Sequence, residues 1–567
     1  MTNQWAFRFF WAVFFLSGIS HLQAQAPASG TSEVWKRSAL ATVHPLATQA
    51  GINAFEAGGN AVDAAIAAAV TLAVVDSHNS GLGGGCFILI RTSDGTLSAI
   101  DGRETAPAGA TRDMFVRDGT AVPELSRTGP LASGVPGSLA AWNLALQKWG
   151  RLSLAQIVEP AAKLADAGFP IDRVFADKLA ATASTLAQFE GSRAVFLKPD
   201  ASPYPEGEIL RQPDLAATLR EIAKEGSKAF YKGRTAALTE TWMKAHGGLL
   251  TASDFAAYEP KERQPILSYY RGCEIVGFPP PSSGGIHVSQ ILSMLDTFDL
   301  GQSPPAERAH LTVEAMKLAF ADRSHWLGDP DFVHVPKGLI DPAYIRSLSE
   351  KIDPAKSTPV DLPGQPPLAD TEWFEKHTTH LSAADAEGNW VAMTSTINTT
   401  FGSKVVIPGT GLLLNNEMDD FSAQPGTPNA FRLVSGEANA VAPGKRPLSS
   451  MSPTLVLRDG KPFLSLGAAG GPTIITQVTQ ALLHVIDERM GIQDALAAPR
   501  LHHQWRPDVV RCEKTMPAEI VALLQAKGHT LEMTDHLGVS QGVQFDPATS
   551  RFTAAHDPRI PGLAAGR

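Results

Sequence analysis

The sequence predicts an α+β fold in which antiparallel sheets are covered by helices, a layered αββα plan. Three observations predict it. Hairpin signatures recur, each an apolar or alternating run on either side of a tight turn: Asp94-Gly95, Glu387-Gly388 and Asp459-Gly460. Helical patterns stand between those hairpins, so helices are available to cover the sheets. The chain of 567 residues, 44% hydrophobic and 19% charged, has globular composition and enough length for more than one buried layer.

The elements follow in order. Arg8 precedes an apolar run over 9–19, and Ala24 and Ala26 supply small residues before a cut after position 26. That is a secretory signal, because a membrane span needs about 20 apolar residues. No later stretch is long and apolar enough to cross a bilayer, so the mature chain reads as periplasmic or secreted and membrane-free once the signal is removed. Over 46–75 two helices are separated by Gly58 and Gly59, with Asn60 as N-cap and Asp63 three residues on. A glycine loop at 81–85 leads into the first hairpin, 133–256 is mainly helical, and prolines 279–281 make a corner between a strand at 273–276 and a helix at about 288–295. Prolines 354, 359, 363, 366 and 367 exclude helix interior and central strand, which makes about 353–377 a linker. Strands at 378–385 and 390–397 follow it, then the hairpin 454–466, then a helix with Pro472 in its first position.

Several chemistries are excluded. Forty-eight Lys and Arg against 57 Asp and Glu give a net charge of −9 with no basic run, so nucleic acid has no electrostatic footprint. The three cysteines are too few and scattered for a disulfide framework. In the glycine loop the third fingerprint glycine falls on Cys86 and no Lys-Ser/Thr follows, which argues against a nucleotide and for close backbone packing. His502-His503 and the pair His377/His380 lack partner ligands at zinc spacing, so neither a metal nor a cofactor is expected. Gly538-Val539-Ser540-Gln541-Gly542 runs into a strand instead of a helix, contrary to a serine nucleophile elbow. Thr378 is different. It opens a strand directly after the linker, and a threonine hydroxyl becomes a useful nucleophile when its own α-amine serves as base. That requires a cut between His377 and Thr378; otherwise Thr378 is an ordinary strand residue.

A set of motifs runs through the mature chain in one order: Gly58-Gly59-Asn60-Ala61-Val62-Asp63, Arg103-Glu104-x-Ala106-Pro107, Pro280-Pro281-Ser282-Ser283-Gly284-Gly285, Leu327-Gly328-Asp329-Pro330, Thr378-Thr379-His380, Thr396-x-Asn398-Thr399-Thr400-Phe401-Gly402, Asn415-Asn416-Glu417-Met418-Asp419-Asp420-Phe421, Arg446-Pro447-Leu448-Ser449-Ser450 and Gly470-Gly471. The set resembles that of the γ-glutamyltranspeptidases. The resemblance implies a four-layer αββα sandwich of the N-terminal-nucleophile hydrolase type, made as a proenzyme that cleaves itself into a large subunit (27–377) and a small catalytic subunit (378–567) that stay intertwined as a heterodimer. It implies γ-glutamyl transfer from glutathione and related compounds to water or to an amino acid or dipeptide acceptor. Thr378 matches the catalytic threonine, Thr396 a threonine hydrogen-bonding near it, and Gly470-Gly471 the oxyanion hole. Asn398, Glu417 and Asp420 match the groups that receive the substrate's α-amino group, and Arg103, Ser449 and Ser450 those that receive its α-carboxylate. Glu417 stands where some relatives carry Gln, and Phe431, in a stretch resembling the lid, stands where bacterial relatives carry Tyr. Two rivals are a β-lactam side-chain (cephalosporin or glutaryl) acylase of the same fold and a catalytically dead secreted binding protein.

Overall fold

The computed structural model describes residues 33–367 and 379–567. The signal segment 1–26, His377 and Thr378 lie outside the described residues. Two seven-stranded sheets form the centre, and their neighbours pair antiparallel throughout. One runs Val34–Trp35, Arg551–His556, Val539–Asp546, Lys461–Ala469, Thr454–Arg458, Cys273–Gly277 and Ile266–Tyr270. The other runs Leu563–Gly566, Ser38–Thr42, His380–Asp385, Trp390–Thr396, Gly85–Arg91, Leu97–Gly102 and Lys261–Arg263. In both, strands from before and after the linker are neighbours.

Alternation along these strands gives each sheet two buried faces. The facing sides meet in a core of Phe87, Leu89, Val276, Phe278, Leu455 and Val543, with the Phe87 and Phe278 rings stacked at 4.1 Å. Outside the second sheet pack Pro45–Glu56, Ala61–Val75 and the helices of 138–257; outside the first pack Gly284–Leu295, Pro305–Trp326 and Thr473–Ile486. The order helices, sheet, sheet, helices is the expected αββα sandwich. Ala61–Val75 is buried along its whole length, as its Ala- and Val-rich sequence requires, and Asn60 with Asp63 forms the capping box.

Two local expectations shift. The helix after the proline corner begins at Gly284, four residues early, because Gly285 lets its first turn lie against the Phe278 carbonyl where any Cβ would collide. Pro472 sits at the N-cap of Thr473–Ile486 and not in its first turn. The glycine loop does what close packing demands: a Cβ on Gly84 would overlap the Thr396 carbonyl, and one on Gly83 that of Leu413. His502 and His503 are buried and hydrogen-bonded, to Thr476 and Gln504 and to Asp508 respectively.

Burial of histidine sets the acid limit of this fold. Desolvation holds His287, His380, His502 and His529 down at about 3, whereas an unfolded histidine titrates near 6.5. Between those values the unfolded chain binds the extra protons, so the stability these groups contribute is present above about pH 6.5 and lost as pH falls toward 3. Burial pushes Asp76 and Glu104 up to about 7, and their contribution, present at low pH, is lost as pH rises through 7. Burial raises Glu417, Asp322, Asp329, Asp419 and Asp487 in the same direction, but His44, His78, His503 and His556 are lowered with the four named histidines, so the histidines still outnumber the raised carboxylates. Melting followed from pH 7 to pH 4 should therefore show Tm falling by several degrees; a Tm flat or rising over that range would contradict the burial of neutral imidazoles.

Candidate active site

The Asn398 turn is the hub of the site. The strand Trp390–Thr396 ends there, the Thr396 hydroxyl accepts the Asn398 N–H at 2.7 Å, and Asn398 turns with φ 75°, a left-handed conformation that Asn tolerates better than most residues. Its side-chain amide donates to the Asn416 carbonyl at 2.9 Å, while Asn416 Oδ1 accepts the Thr399 N–H at 3.0 Å. Asn415 ties the same segment to the glycine loop by donating to the Gly83 carbonyl at 2.7 Å. These bonds hold the short helix Glu417–Asp420 against the strand end.

Arg103 lies at the end of Leu97–Gly102, with no exposed surface. Its backbone is fixed by Asp101, which accepts its N–H at 2.9 Å, and by the Tyr258 hydroxyl, which donates to its carbonyl at 2.6 Å. Its guanidinium bonds Glu417, Asp420 at 2.9 Å and Glu104 at 3.4 Å. One cation thus faces three buried carboxylates. Burial raises Glu417 well above the ordinary carboxylate range, and only the neighbouring Arg103 pulls it back; Glu104, under the same two influences, is at about 7. Arg103 Nε and Glu417 Oε2 are buried with no hydrogen-bond partner among the described residues. Glu104 adjoins Arg103 in the quoted motif, but only the folded chain reveals it as a third carboxylate on the guanidinium.

Ser449 and Ser450 are fully buried, and the Ser449 carbonyl accepts the Ser283 N–H at 3.1 Å, joining them to the proline corner. The segment carrying Phe431 closes on the acidic helix: Asn429 donates to Asp420 at 3.2 Å and the Ala430 N–H to Asp419 at 2.8 Å. Asn429 gave no signal in the sequence.

Gly470 and Gly471 turn the chain from Lys461–Ala469 into Thr473–Ile486 with φ of 133° and 59°. The helix has no side-chain cap, so its positive N-terminal end is open to an anion. A cavity of about 510 Å³ is lined by both glycines and by Thr379, Asn398, Thr400 and Phe431. A Cβ on Gly471 would stand 2.6 Å from the Phe431 ring. Gly471→Ala should therefore both strain the positive φ and displace that ring, lowering kcat/KM by about 100-fold or more, the scale on which a single oxyanion donor matters; a value within about threefold of wild type would show that this turn does not face the reaction.

Two sheets packed face to face and covered by helices, with this site at the sheet ends, define an N-terminal-nucleophile hydrolase. A family model described as gamma-glutamyltranspeptidase matches residues 47–567, and the chain belongs to that family. It is 45% identical over 538 residues to the glutathione hydrolase proenzyme of Escherichia coli (strain K12), spanning 94% of this chain and 92% of that one. Among solved structures it is similar to a cephalosporin acylase from Bacillus halodurans, with a TM-score of 0.87 at 29% identity over 97% of this chain and 99% of that one. It is also similar to the γ-glutamyltranspeptidase of Helicobacter pylori, with a TM-score of 0.56 at 40% identity over 58% of this chain and 95% of that one.

Proposed function

We propose that the chain is a γ-glutamyl hydrolase and transferase, matured by its own cleavage, that takes glutathione and related γ-glutamyl compounds as donors. One observation carries the reading toward a γ-glutamyl donor: a buried arginine hemmed by carboxylates with one donor, Arg103 Nε, and one acceptor, Glu417 Oε2, left over. A γ-glutamyl group brings one carboxylate and one ammonium, the pair that completes such a site. In this reading Arg103, Ser449 and Ser450 take the α-carboxylate, and Asn398, Glu417 and Asp420 take the α-ammonium. Substrate charges replace the internal ion pairs, so binding opens the Arg103 cluster and Asn429 with it.

The chemistry then needs few steps. In the precursor the Thr378 hydroxyl attacks the His377 carbonyl carbon, the C–N bond breaks to leave a free α-amine on Thr378, and water opens the resulting ester. In the mature enzyme that amine takes the proton of Thr378 Oγ as the oxygen attacks the γ-carbonyl. The oxyanion develops against the N–H groups of Gly470 and Gly471, where such a donor contributes about 3 to 4 kcal/mol. The amine returns the proton to the departing nitrogen, and a γ-glutamyl ester remains on Thr378. Water, or the amine of an amino acid or dipeptide acceptor, releases it by the reverse sequence. Thr396 holds the Asn398 turn and hydrogen-bonds near the nucleophile. Residues 1–26 act as an export signal and place the mature protein in the periplasm or outside the cell; no described helix is long and apolar enough to cross a membrane.

A cephalosporin acylase shares this architecture, but a dicarboxylic acyl chain carries no ammonium for Glu417 and Asp420. The test is release of p-nitroaniline from γ-glutamyl-p-nitroanilide, run beside glutaryl-p-nitroanilide. Turnover of the first at least about 100-fold faster supports the reading, and preference for the second overturns it.

A further inference from the structure

Resting on the γ-glutamyl reading, we propose that Lys178 receives the free carboxylate of the amino acid or peptide on the other side of the scissile amide, the part that leaves on acylation or arrives as acceptor. Arg103, Glu417 and Asp420 do not line the 510 Å³ cavity, whereas Thr379 and the two glycines do. The cavity is of ligand size and begins where the reacting carbonyl would sit, so it has room for the non-glutamyl half of the donor. An amino acid or short peptide ends there in a carboxylate, and a carboxylate leaving water needs a cation.

The wall supplies five basic side chains, and four are unsuited. Arg559 has every N–H engaged: by Glu513, by Asp557 and by the carbonyls of Leu496 and Ala498. Burial lowers His44 and, further, His78, keeping both neutral, and His536 is exposed at the rim. Lys178, on the helix Arg173–Leu186, donates one hydrogen bond among the described residues, to Asn79 Oδ1 at 2.6 Å, and keeps two N–H groups for a ligand. Burial lowers its pKa, while Asp76 and Asp172 hold it up.

The lysine is also held in place. Asn79 passes the contact on by donating to Asp76 Oδ1 at 2.8 Å. The second Asp76 oxygen is buried with no partner among the described residues and lines the same cavity, where a peptide N–H would satisfy it. The backbone of this loop is bonded to the Asn398 turn, with the Asn79 carbonyl accepting from Ile397 at 3.0 Å and the His78 carbonyl from Phe401 at 2.9 Å. Lys178 is thereby set at a fixed offset from the glutamyl side of the site.

The experiment compares kcat/KM for hydrolysis of γ-glutamyl-cysteinylglycine with that of its C-terminal amide, each ratio taken within one protein preparation so that the folded fraction cancels. Wild type should prefer the free acid by about tenfold or more, the value of a charge-assisted hydrogen bond. The ratio should fall to within about twofold of unity in Lys178→Met and in Lys178→Gln, and Lys178→Arg should restore part of it. A wild type indifferent to the amide, or a neutral variant with the wild-type ratio, overturns the proposal. If Lys178→Met does not accumulate, the wild-type and Lys178→Gln ratios decide. Release of p-nitroaniline from γ-glutamyl-p-nitroanilide, whose leaving group has no carboxylate, separates the two failures: without it the γ-glutamyl reading is wrong, and with it a flat peptide ratio removes Lys178 alone.

Discussion

Thr378→Ala should remain one polypeptide on a denaturing gel and release no γ-glutamyl group, with activity reduced by about 10⁴-fold or more, as expected when a nucleophile is removed outright. Both losses have one cause. In the proposed mechanism the hydroxyl that attacks the His377 carbonyl is the hydroxyl that attacks substrate, and the α-amine that serves as base exists only after the first attack. Thr378→Ser keeps both groups and should mature, more slowly, with partial activity. The pH dependence gives an independent readout. A terminal amine has an unperturbed pKa of about 7.7 to 8, so acylation should rise with pH through one group titrating near or above neutrality, which ordinary carboxylates at about 4 cannot imitate. An uncut yet fully active wild type, or a rate-limiting acylation flat from about pH 5 to 10, would exclude the amine as base.

The second large effect is at Arg103. Arg103→Met leaves Glu417, Asp420 and Glu104 gathered without the guanidinium that pairs with all three, and breaking a buried pair in this way costs about 3 to 5 kcal/mol. Much of that cost is met by protonation, since Glu104 and Glu417 already titrate high. The variant should therefore fold with a Tm lowered by several degrees, still cleave itself, and lose about 30-fold or more in kcat/KM for γ-glutamyl donors. Glu417→Gln is the companion: it removes one carboxylate and keeps the shape, so maturation and stability should persist while the site becomes less negative. If Arg103→Met left kcat/KM within about twofold of wild type, the guanidinium would have no part in binding the α-carboxylate.

Local grammar was readable where one stretch of chain decides its own conformation. Gly58, Gly59, Asn60 and Asp63 specify a helix stop and a capped start within six residues, and the turns at Asp94-Gly95 and Asp459-Gly460 specify hairpins. What the residues alone could not supply was which strands pair across hundreds of positions, such as Gly85–Arg91 with Trp390–Thr396, because apolar strands carry no label for their partner. The motif resemblance pointed to Arg103, Glu417 and Asp420 as one site, yet it assigned them to opposite ends of a substrate; that the guanidinium binds both carboxylates directly emerges only from the fold. Lys178 was invisible for a different reason. On an amphipathic helix a lysine reads as solvated surface, and only the loop at Asp76 and Asn79, about a hundred residues earlier, turns it into a cavity wall.

Strand order has a consequence for genetics. Ser38–Thr42 is held on one side by Leu563–Gly566 and on the other by His380–Asp385, so after a cut before Thr378 the two fragments remain braided through both sheets. Separating them means breaking the central ladders, which is global unfolding, and the heterodimer should therefore last as long as the fold itself and survive dilution. Fragments from two alleles would not exchange: a cell carrying an active copy and an Arg103→Met copy, which still cleaves itself, would hold parental pairs alone, with activity proportional to the active copy, neither rescued by subunit swapping nor poisoned by it.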